Sequence, residues 1–282
     1  EGAILSISGT KLTKEESEFF SKINPLGFVL FSRNFIDKEQ ITNLILSLKK
    51  ATKNKNALIF VDQEGGRVQR FKSGGFNKFP SLRKFGKIYL KNKNLSKKLT
   101  YMSSYMLGDE LKQVGVDVNF APVCDVNYKN AHSIIGDRAF SSNPETVLEL
   151  IKEFCKGLRD SGILPVLKHF PGHGRSKKDT HTHCSRINVD LNSLLKSDLI
   201  PFNFLKKESL LMLAHIIFPR IDKSVVTYLK LFNSIIREKF KFKGLIITDD
   251  ISMKALSDKI EDVVIKSFDA GCDVILYCRG EI

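Results

Sequence analysis

The feature that most constrains the fold is the alternation of short, apolar, β-branched segments with amphipathic segments along all 282 residues. This alternation is typical of repeated βα units around a parallel sheet. The predicted strands are too short and too apolar for a sheet with one solvated face. Both faces must therefore be covered, as in a barrel or a doubly wound sheet. The eight predicted strands are 3–7, 27–31, 57–62, 116–121, 164–169, 210–215, 244–249 and 272–277.

Helices with recognisable ends are predicted between the strands. Thr13 and Glu16 form a capping box at the start of the first helix. Asn143 followed by Pro144 starts a later helix, which Gly162 ends. The inward face of that helix is predicted to contain Val147, Leu150, Ile151, Phe154 and Leu158.

Polar residues gather where each predicted strand ends. This favours a (β/α)₈ barrel of the TIM type, with an active site on the carboxyl rim. Because such barrels reach about 250 residues as one unit, we expect a single catalytic domain over residues 1–282. The sequence stops at Ile282, soon after the eighth predicted strand. We therefore expect the closing helix to be missing and the domain to be truncated at its C-terminus.

The chain carries 45 Lys and Arg against 31 Asp and Glu, a formal net charge of +14. This excess is compatible with a polyanionic partner or with a well-solvated surface. The basic residues are mixed with acids and asparagines, so we favour a solvated surface and expect no nucleic-acid partner.

Five cysteines form an odd set without paired metal-ligand spacing, which favours a reducing compartment and a cytoplasmic location. No apolar stretch approaches the roughly 18 residues of a membrane span, and no signal peptide opens the chain. The chain begins at Glu1 without a methionine, so a removed leader stays open at this point.

Candidate binding residues follow the third predicted strand, in VDQEGGRVQRF. Asp62 closes that strand, and Gly65 and Gly66 allow a sharp backbone turn before Arg67 and Arg70. A lone aspartate could merely cap a turn. A carboxylate beside guanidinium groups, however, suits sugar hydroxyls, which both donate and accept hydrogen bonds. A further arginine, Arg138, lies in IIGDRAFSSNPET and would be a weak signal alone.

The fifth predicted strand runs into LKHFPGHGRSKKDTHTH, with Lys168 and His169 at the strand end and four histidines in the segment. Two interpretations are open here. Asp179 and His181 are two residues apart and could form an acid/base dyad in which the carboxylate orients the imidazole. Alternatively, zinc could be bound by a set drawn from His169, His173, Asp179, His181, His183 and Cys184.

The seventh predicted strand ends in two adjacent carboxylates, Asp249 and Asp250, within GLIITDDISMKAL. Because neighbouring residues of a strand point in opposite directions, one carboxylate can face the barrel axis while the other needs a cap or a basic partner. His215 ends the sixth predicted strand and could either shape the substrate site or form a buried structural hydrogen bond.

These motifs resemble family 3 glycoside hydrolases, specifically the single-domain bacterial β-N-acetylglucosaminidases of peptidoglycan recycling. The resemblance covers essentially the whole chain, in the right order. It rests on VDQEGGRVQRF, GVDVNFAP, IGDRAF, GLIITDDISM and, most specifically, KHFPGHG with a downstream Asp-Thr-His. The family usually has Asp-Ser-His there, and Thr180 is a conservative replacement.

The resemblance implies roles for individual residues. Asp249 would be the nucleophile, His181 the acid/base and Asp179 its partner. Substrate binding would fall to Asp62, Arg70, Arg138, Lys168 and His169, with no metal or cofactor. It implies a retaining exo-β-N-acetylglucosaminidase that acts by double displacement on N-acetylglucosamine-anhydro-muramyl peptides, as a monomer.

Three alternatives stay open from the sequence. A β-glucosidase of the same family is disfavoured by the Asp-x-His pair. A zinc hydrolase would lose activity to a chelator. A catalytically inactive sugar-binding module is disfavoured because Asp249, Asp179 and His181 are all present.

Overall fold

The computed structural model describes residues 2–52, 54, 56–177 and 184–281. Its centre is a closed barrel of eight parallel strands, as predicted, in which β1 pairs with both β2 and β8. The strands are β1 (Ala3–Ser6), β2 (Gly27–Leu30), β3 (Leu58–Val61), β4 (Val118–Asn119), β5 (Leu164–Phe170), β6 (Leu210–Leu213), β7 (Leu245–Asp250) and β8 (Val274–Tyr277). Each overlaps its predicted segment.

Helices surround the barrel. They are α1 (Lys14–Ile23), α2 (Lys38–Ala51), α3 (Leu82–Tyr89), α4 (Lys93–Gln113), α5 (Pro144–Asp160), α6 (Leu191–Leu195), α7 (Lys230–Ser234) and α8 (Ile260–Asp269). Two small ribbons lie outside the barrel sheet. One pairs Gln63–Gly65 with Val68–Gln69, and the other pairs Ser185–Arg186 with Ile216–Ile217. Within the described ranges, no helix combines the length and the hydrophobicity of a membrane span.

The predicted helix starts are confirmed by their capping hydrogen bonds. The Glu16 amide donates to Thr13 Oγ1 at 3.1 Å, and the Thr13 amide donates to Glu16 Oε2 at 2.9 Å. Asn143 Oδ1 accepts from the Thr146 amide at 2.8 Å. These bonds satisfy amides that a helix N-terminus otherwise leaves without partners.

Both faces of the barrel sheet are buried, which explains the continuously apolar strands. Ile4, Val29, Phe60, Val166 and Ile247 belong to one apolar cluster, whose members alternate with the residues that pack under the helices. The inward face of α5 is buried as predicted. Alternation along each strand therefore fills the barrel interior and anchors the outer helices at the same time.

Helix α3 follows the hairpin after β3, and a glycine sets how closely it packs against a later loop. A Cβ at Gly86 would lie 1.8 Å from the Phe140 carbonyl oxygen. Phe140 follows the IGDR segment that carries Arg138, so this close contact fixes α3 against a loop of the active-site rim.

We expect Gly86→Ala to lower the free energy of unfolding by about 2 kcal/mol, because the new methyl group collides with backbone that cannot move away easily. Helix propensity alone would predict a gain of about 1 kcal/mol. Urea denaturation of both proteins measures the difference. Lys87→Ala, an exposed change on the same helix, should stay within about 0.5 kcal/mol of the wild type. A stabilised Gly86→Ala protein would contradict this packing.

Candidate active site

A pocket of 310 Å³ opens at the carboxyl ends of the strands. This volume lies near the lower end of the roughly 300–1,000 Å³ typical of ligand pockets, so it suits a single small ligand. A larger groove of 970 Å³ lies between α1 and α2 and shares no lining residue with this pocket. Side chains at the strand ends that line the pocket are Phe31, Asp62, Phe120, Lys168, His169, Met212, Asp249, Asp250, Leu276 and Cys278.

The hairpin after β3 places the first polar groups. Gly65 and Gly66 have φ values of 95° and 60°, a conformation that favours glycine. Buried Gln63 accepts from the Arg70 amide through its Oε1 at 2.8 Å. The glycine turn and this internal bond fold Arg70 back over Asp62, as the sequence predicts.

Five charged side chains form a chain of alternating sign along one wall of the pocket. Arg70 Nη2 lies 3.1 Å from Asp62 Oδ2, and Lys168 Nζ lies 2.7 Å from Asp62 Oδ1. Lys168 Nζ also lies 2.6 Å from Glu64 Oε1. Arg138 binds Glu64 through two parallel contacts, Nη2 to Oε1 at 2.8 Å and Nε to Oε2 at 2.9 Å. We call this set the charge chain.

The charge chain keeps its carboxylates ionised despite their burial. Burial alone would raise the pKa of Asp62, but Lys168 and Arg70 outweigh it and hold that pKa well below its usual range. Burial is likewise outweighed at Glu64, where Arg138 and Lys168 lower the pKa to about 2. Opposite charges at hydrogen-bond distance favour the charged forms of both partners.

A buried carboxylate orients the pocket histidine. Asp125 Oδ2 lies 2.7 Å from Nδ1 of His169, and Asp125 Oδ1 accepts from the His173 amide at 2.6 Å. Because a carboxylate only accepts, Nδ1 of His169 carries a proton and Nε2 is left to act on a ligand. Burial would raise the pKa of Asp125, but His169 and His173 outweigh it and the pKa is lowered.

The two carboxylates at the end of β7 have different surroundings. Asp250 accepts from the Ser252 amide and hydroxyl at 3.0 and 2.8 Å and from the Cys278 amide at 3.1 Å. Asp249 Oδ1 accepts from the Asp250 amide at 2.8 Å. As expected for adjacent strand residues, one of the two carboxylates, Asp250, is held by local donors. That leaves Asp249 as the candidate for chemistry.

His215 is a structural residue of this rim. It is 1% exposed, and burial lowers its pKa. Its Nε2 lies 3.2 Å from the Asp250 carbonyl oxygen and its Nδ1 lies 2.8 Å from Thr227 Oγ1. Because a carbonyl only accepts, the neutral ring donates from Nε2 and accepts the Thr227 hydroxyl proton at Nδ1. His215 therefore holds the backbone that carries the two carboxylates.

A rim loop forms another wall of the pocket. Arg67 pairs with Asp137 at 2.9 Å and donates through Nη2 to the carbonyls of Ser133, Ile134 and Ile135. Both isoleucines line the pocket. Arg67 therefore acts by holding this apolar wall in place, a role that its position in the sequence did not reveal.

The structure brings together Asp62, Arg70, Arg138, Lys168, His169 and Asp249, which the sequence singled out. It adds Glu64 and Asp125, which sequence reasoning missed. Both occur inside motifs with a site residue nearby, but nothing in the sequence says that their side chains turn toward the binding residues. Cys278 follows β8 at the rim, where it lines the pocket and packs against the apolar cluster of the barrel interior. Burial raises the pKa of its thiol.

Asp179 and His181 lie outside the described residues, as does His183. His173 lines the pocket, and Ser176 Oγ lies 2.6 Å from Ser185 Oγ. Among the described side chains, no group of three His, Cys, Asp or Glu converges as a metal site. Three members of the possible zinc set, Asp179, His181 and His183, lie outside those residues.

Fold and site together define a barrel enzyme whose rim pocket takes a small polar ligand. Residues 2–282 match the sequence model of the glycosyl hydrolase family 3 N terminal domain, so the chain belongs to that family. A beta-hexosaminidase of Nitrosomonas eutropha is 38% identical over 281 residues, which are 98% of this chain and 80% of the relative. The chain is thus a glycoside hydrolase of the beta-hexosaminidase type.

Solved structures give the same assignment. NagZ from Neisseria gonorrhoeae in complex with N-trifluoroacetyl-D-glucosamine superposes with a TM-score of 0.92 at 33% identity, covering 99% of this chain and 81% of that one. The gonococcal protein in complex with zinc ion superposes with a TM-score of 0.90, at 33% identity and with 98% and 80% coverage. The predicted family and fold are confirmed.

The buried histidine beside Asp125 makes stability depend on pH. Burial, with help from the His169 ring, lowers the pKa of His173 to about 4. An unfolded histidine titrates near pH ~6.5. Between these pH values the unfolded state binds more protons than the folded state. The contribution of His173 to the free energy of unfolding is therefore complete above about pH 6.5, and it falls by on the order of 3 kcal/mol as the pH drops toward 4.

We expect His173→Gln to flatten this dependence, because an amide does not titrate. Urea unfolding at several pH values between about 7 and 4 gives the slope for each protein. His132→Gln removes an exposed histidine and should keep the wild-type slope. Equal slopes for wild type and His173→Gln would show that His173 is not the titrating group.

Proposed function

We propose that the enzyme is a retaining exo-β-N-acetylglucosaminidase. It removes non-reducing terminal β-linked N-acetylglucosamine from peptidoglycan-derived muropeptides through a covalent glycosyl-aspartate. The observation that carries this proposal is the position of Asp249, which lines the same small pocket as Asp62, Lys168, Arg138 and His169. A carboxylate and a set of hydroxyl-binding groups then face one ligand from different sides.

The pocket is suited to one sugar ring. Lys168 Nζ has three N–H groups, and Asp62 and Glu64 take two of them, which leaves one for a ligand hydroxyl. Apolar surface from Phe120, Met212 and Met253 complements the faces of a ring. The gonococcal relative's complex with N-trifluoroacetyl-D-glucosamine supports an N-acylated glucosamine as the bound sugar.

The reaction proceeds in two displacements. Asp249 attacks the anomeric carbon while His181 protonates the departing glycosidic oxygen. Water then attacks the same carbon, His181 takes its proton, and the bond to Asp249 breaks. Asp250 is not a competing nucleophile, because three donors occupy its carboxylate. His173, which precedes this segment in the sequence, lines the same pocket as Asp249, and this supports His181 as the acid/base.

A histidine suits this role near neutral pH, since its unperturbed pKa is about 6.5. It also avoids adding a negative charge where anionic muropeptides would bind. All five cysteines are free, which supports a reducing, cytoplasmic setting. The monomeric state and the absence of nucleic-acid partners stay predictions from the sequence.

Trapping tests reaction class, nucleophile and sugar together. A 5-fluoro analogue of N-acetylglucosamine should label one peptide of the wild-type enzyme, and mass spectrometry should place the label on Asp249. Asp249→Ala should lose turnover by roughly 10⁴-fold or more, because the covalent step has no nucleophile, while still binding N-acetylglucosamine. A label on Asp250, or substantial turnover by Asp249→Ala, would contradict the assignment.

His181→Ala tests the acid. Aryl N-acetylglucosaminides with good leaving groups need little protonation in the first step, so they should lose far less rate than the natural disaccharide linkage. Steady-state rates on both substrates give the comparison. Equal losses on the two would mean that another group is the acid.

Two controls separate this proposal from its alternatives. Glucoside and N-acetylglucosaminide chromogens are compared under the same conditions, and faster cleavage of the glucoside would favour a β-glucosidase. A chelator should leave the rate unchanged, whereas a zinc hydrolase would lose activity.

A further inference from the structure

Glu64 differs from the other members of the charge chain in its position. Its side chain is 1% exposed, and it lies behind the pocket wall that Asp62, Lys168 and Arg138 help to form. It comes from the ribbon strand Gln63–Gly65, directly after the end of β3. A ligand in the pocket therefore meets the two cations that Glu64 holds, while Glu64 itself stays covered.

Glu64 is the shared counter-ion of these two cations. Its Oε1 contacts both Lys168 Nζ, at 2.6 Å, and Arg138 Nη2, at 2.8 Å. Its Oε2 accepts from Arg138 Nε at 2.9 Å, so the guanidinium plane is fixed by two parallel bonds. The side chains of Lys168 and Arg138 are only 3% and 12% exposed, so water cannot replace these contacts.

The geometry points to Glu64 as a positioning residue for sugar binding. Asp62 is already shared between Arg70 and Lys168. Without Glu64, Arg138 would lose its two-bonded partner and would repel Lys168 across the pocket wall. With Glu64 in place, both cations are held with some N–H groups facing the ligand. This inference rests on the proposed function, because it concerns how the sugar is held.

A matched control exists elsewhere in the chain. Glu208 is also 1% exposed at its side chain and is also paired with an arginine, Arg159. It precedes β6, at the end of the barrel opposite the pocket. Glu208→Gln therefore reports the cost of removing a buried glutamate charge without touching the sugar site.

The experiment measures affinity for free N-acetylglucosamine by calorimetry, kcat and KM on an aryl N-acetylglucosaminide, and thermal stability. We expect Glu64→Gln to weaken binding by at least roughly 10-fold and to lower kcat/KM by roughly 100-fold, because the amide presents an N–H to one of the two cations. Glu208→Gln should lose stability to a similar degree but keep wild-type affinity and kcat/KM.

Glu64→Asp gives a second test, since it keeps the charge but cannot reach both cations. It should fold and lose affinity to an intermediate degree, with KM changing more than kcat. Wild-type affinity in folded Glu64→Gln or Glu64→Asp would overturn the role of Glu64, and so would an equal loss of affinity in Glu208→Gln. Failure of the wild-type enzyme to hydrolyse N-acetylglucosaminides would instead contradict the proposed function.

Discussion

The ion pairs of Lys168 are the interaction on which the site depends. Its ammonium group lies 2.7 Å from Asp62 and 2.6 Å from Glu64, and the side chain is 3% exposed. A buried ammonium ion is stable only when opposite charges replace its lost hydration. Here Asp62 and Glu64 provide these charges. Their contacts join β5 to the hairpin after β3, and Glu64 also joins both to the loop that carries Arg138. The shape of the pocket follows from this balance of charge.

The barrel makes such convergence possible because eight strands end at the same rim. Residues far apart in sequence, such as Asp62 and Lys168, meet only when β3 and β5 are held on either side of β4. The rim is then secured locally. Arg67 holds the Ile134 and Ile135 wall, and His215 holds the backbone at the end of β7. These contacts fix the rim loop and the end of β7, which limits the freedom of both to move.

The strands and the strand-end residues could be predicted because periodicity and position carry that information. Asp249 follows an apolar run, and Lys168 ends another, so both belong to the rim of any closed parallel barrel. Glu64 and Asp125 could not be assigned in this way. Their roles depend on which buried side chains they meet across strands, and no local pattern records that.

The charge arrangement also separates binding from chemistry. In the described part of the chain, Arg67 pairs with Asp137, Arg70 with Asp62, Arg138 with Glu64 and Lys168 with both Asp62 and Glu64. Each of these cations thus has a carboxylate partner other than Asp249. In the reaction proposed above, the carboxylates that neutralise these cations are therefore separate from the carboxylate that attacks the sugar.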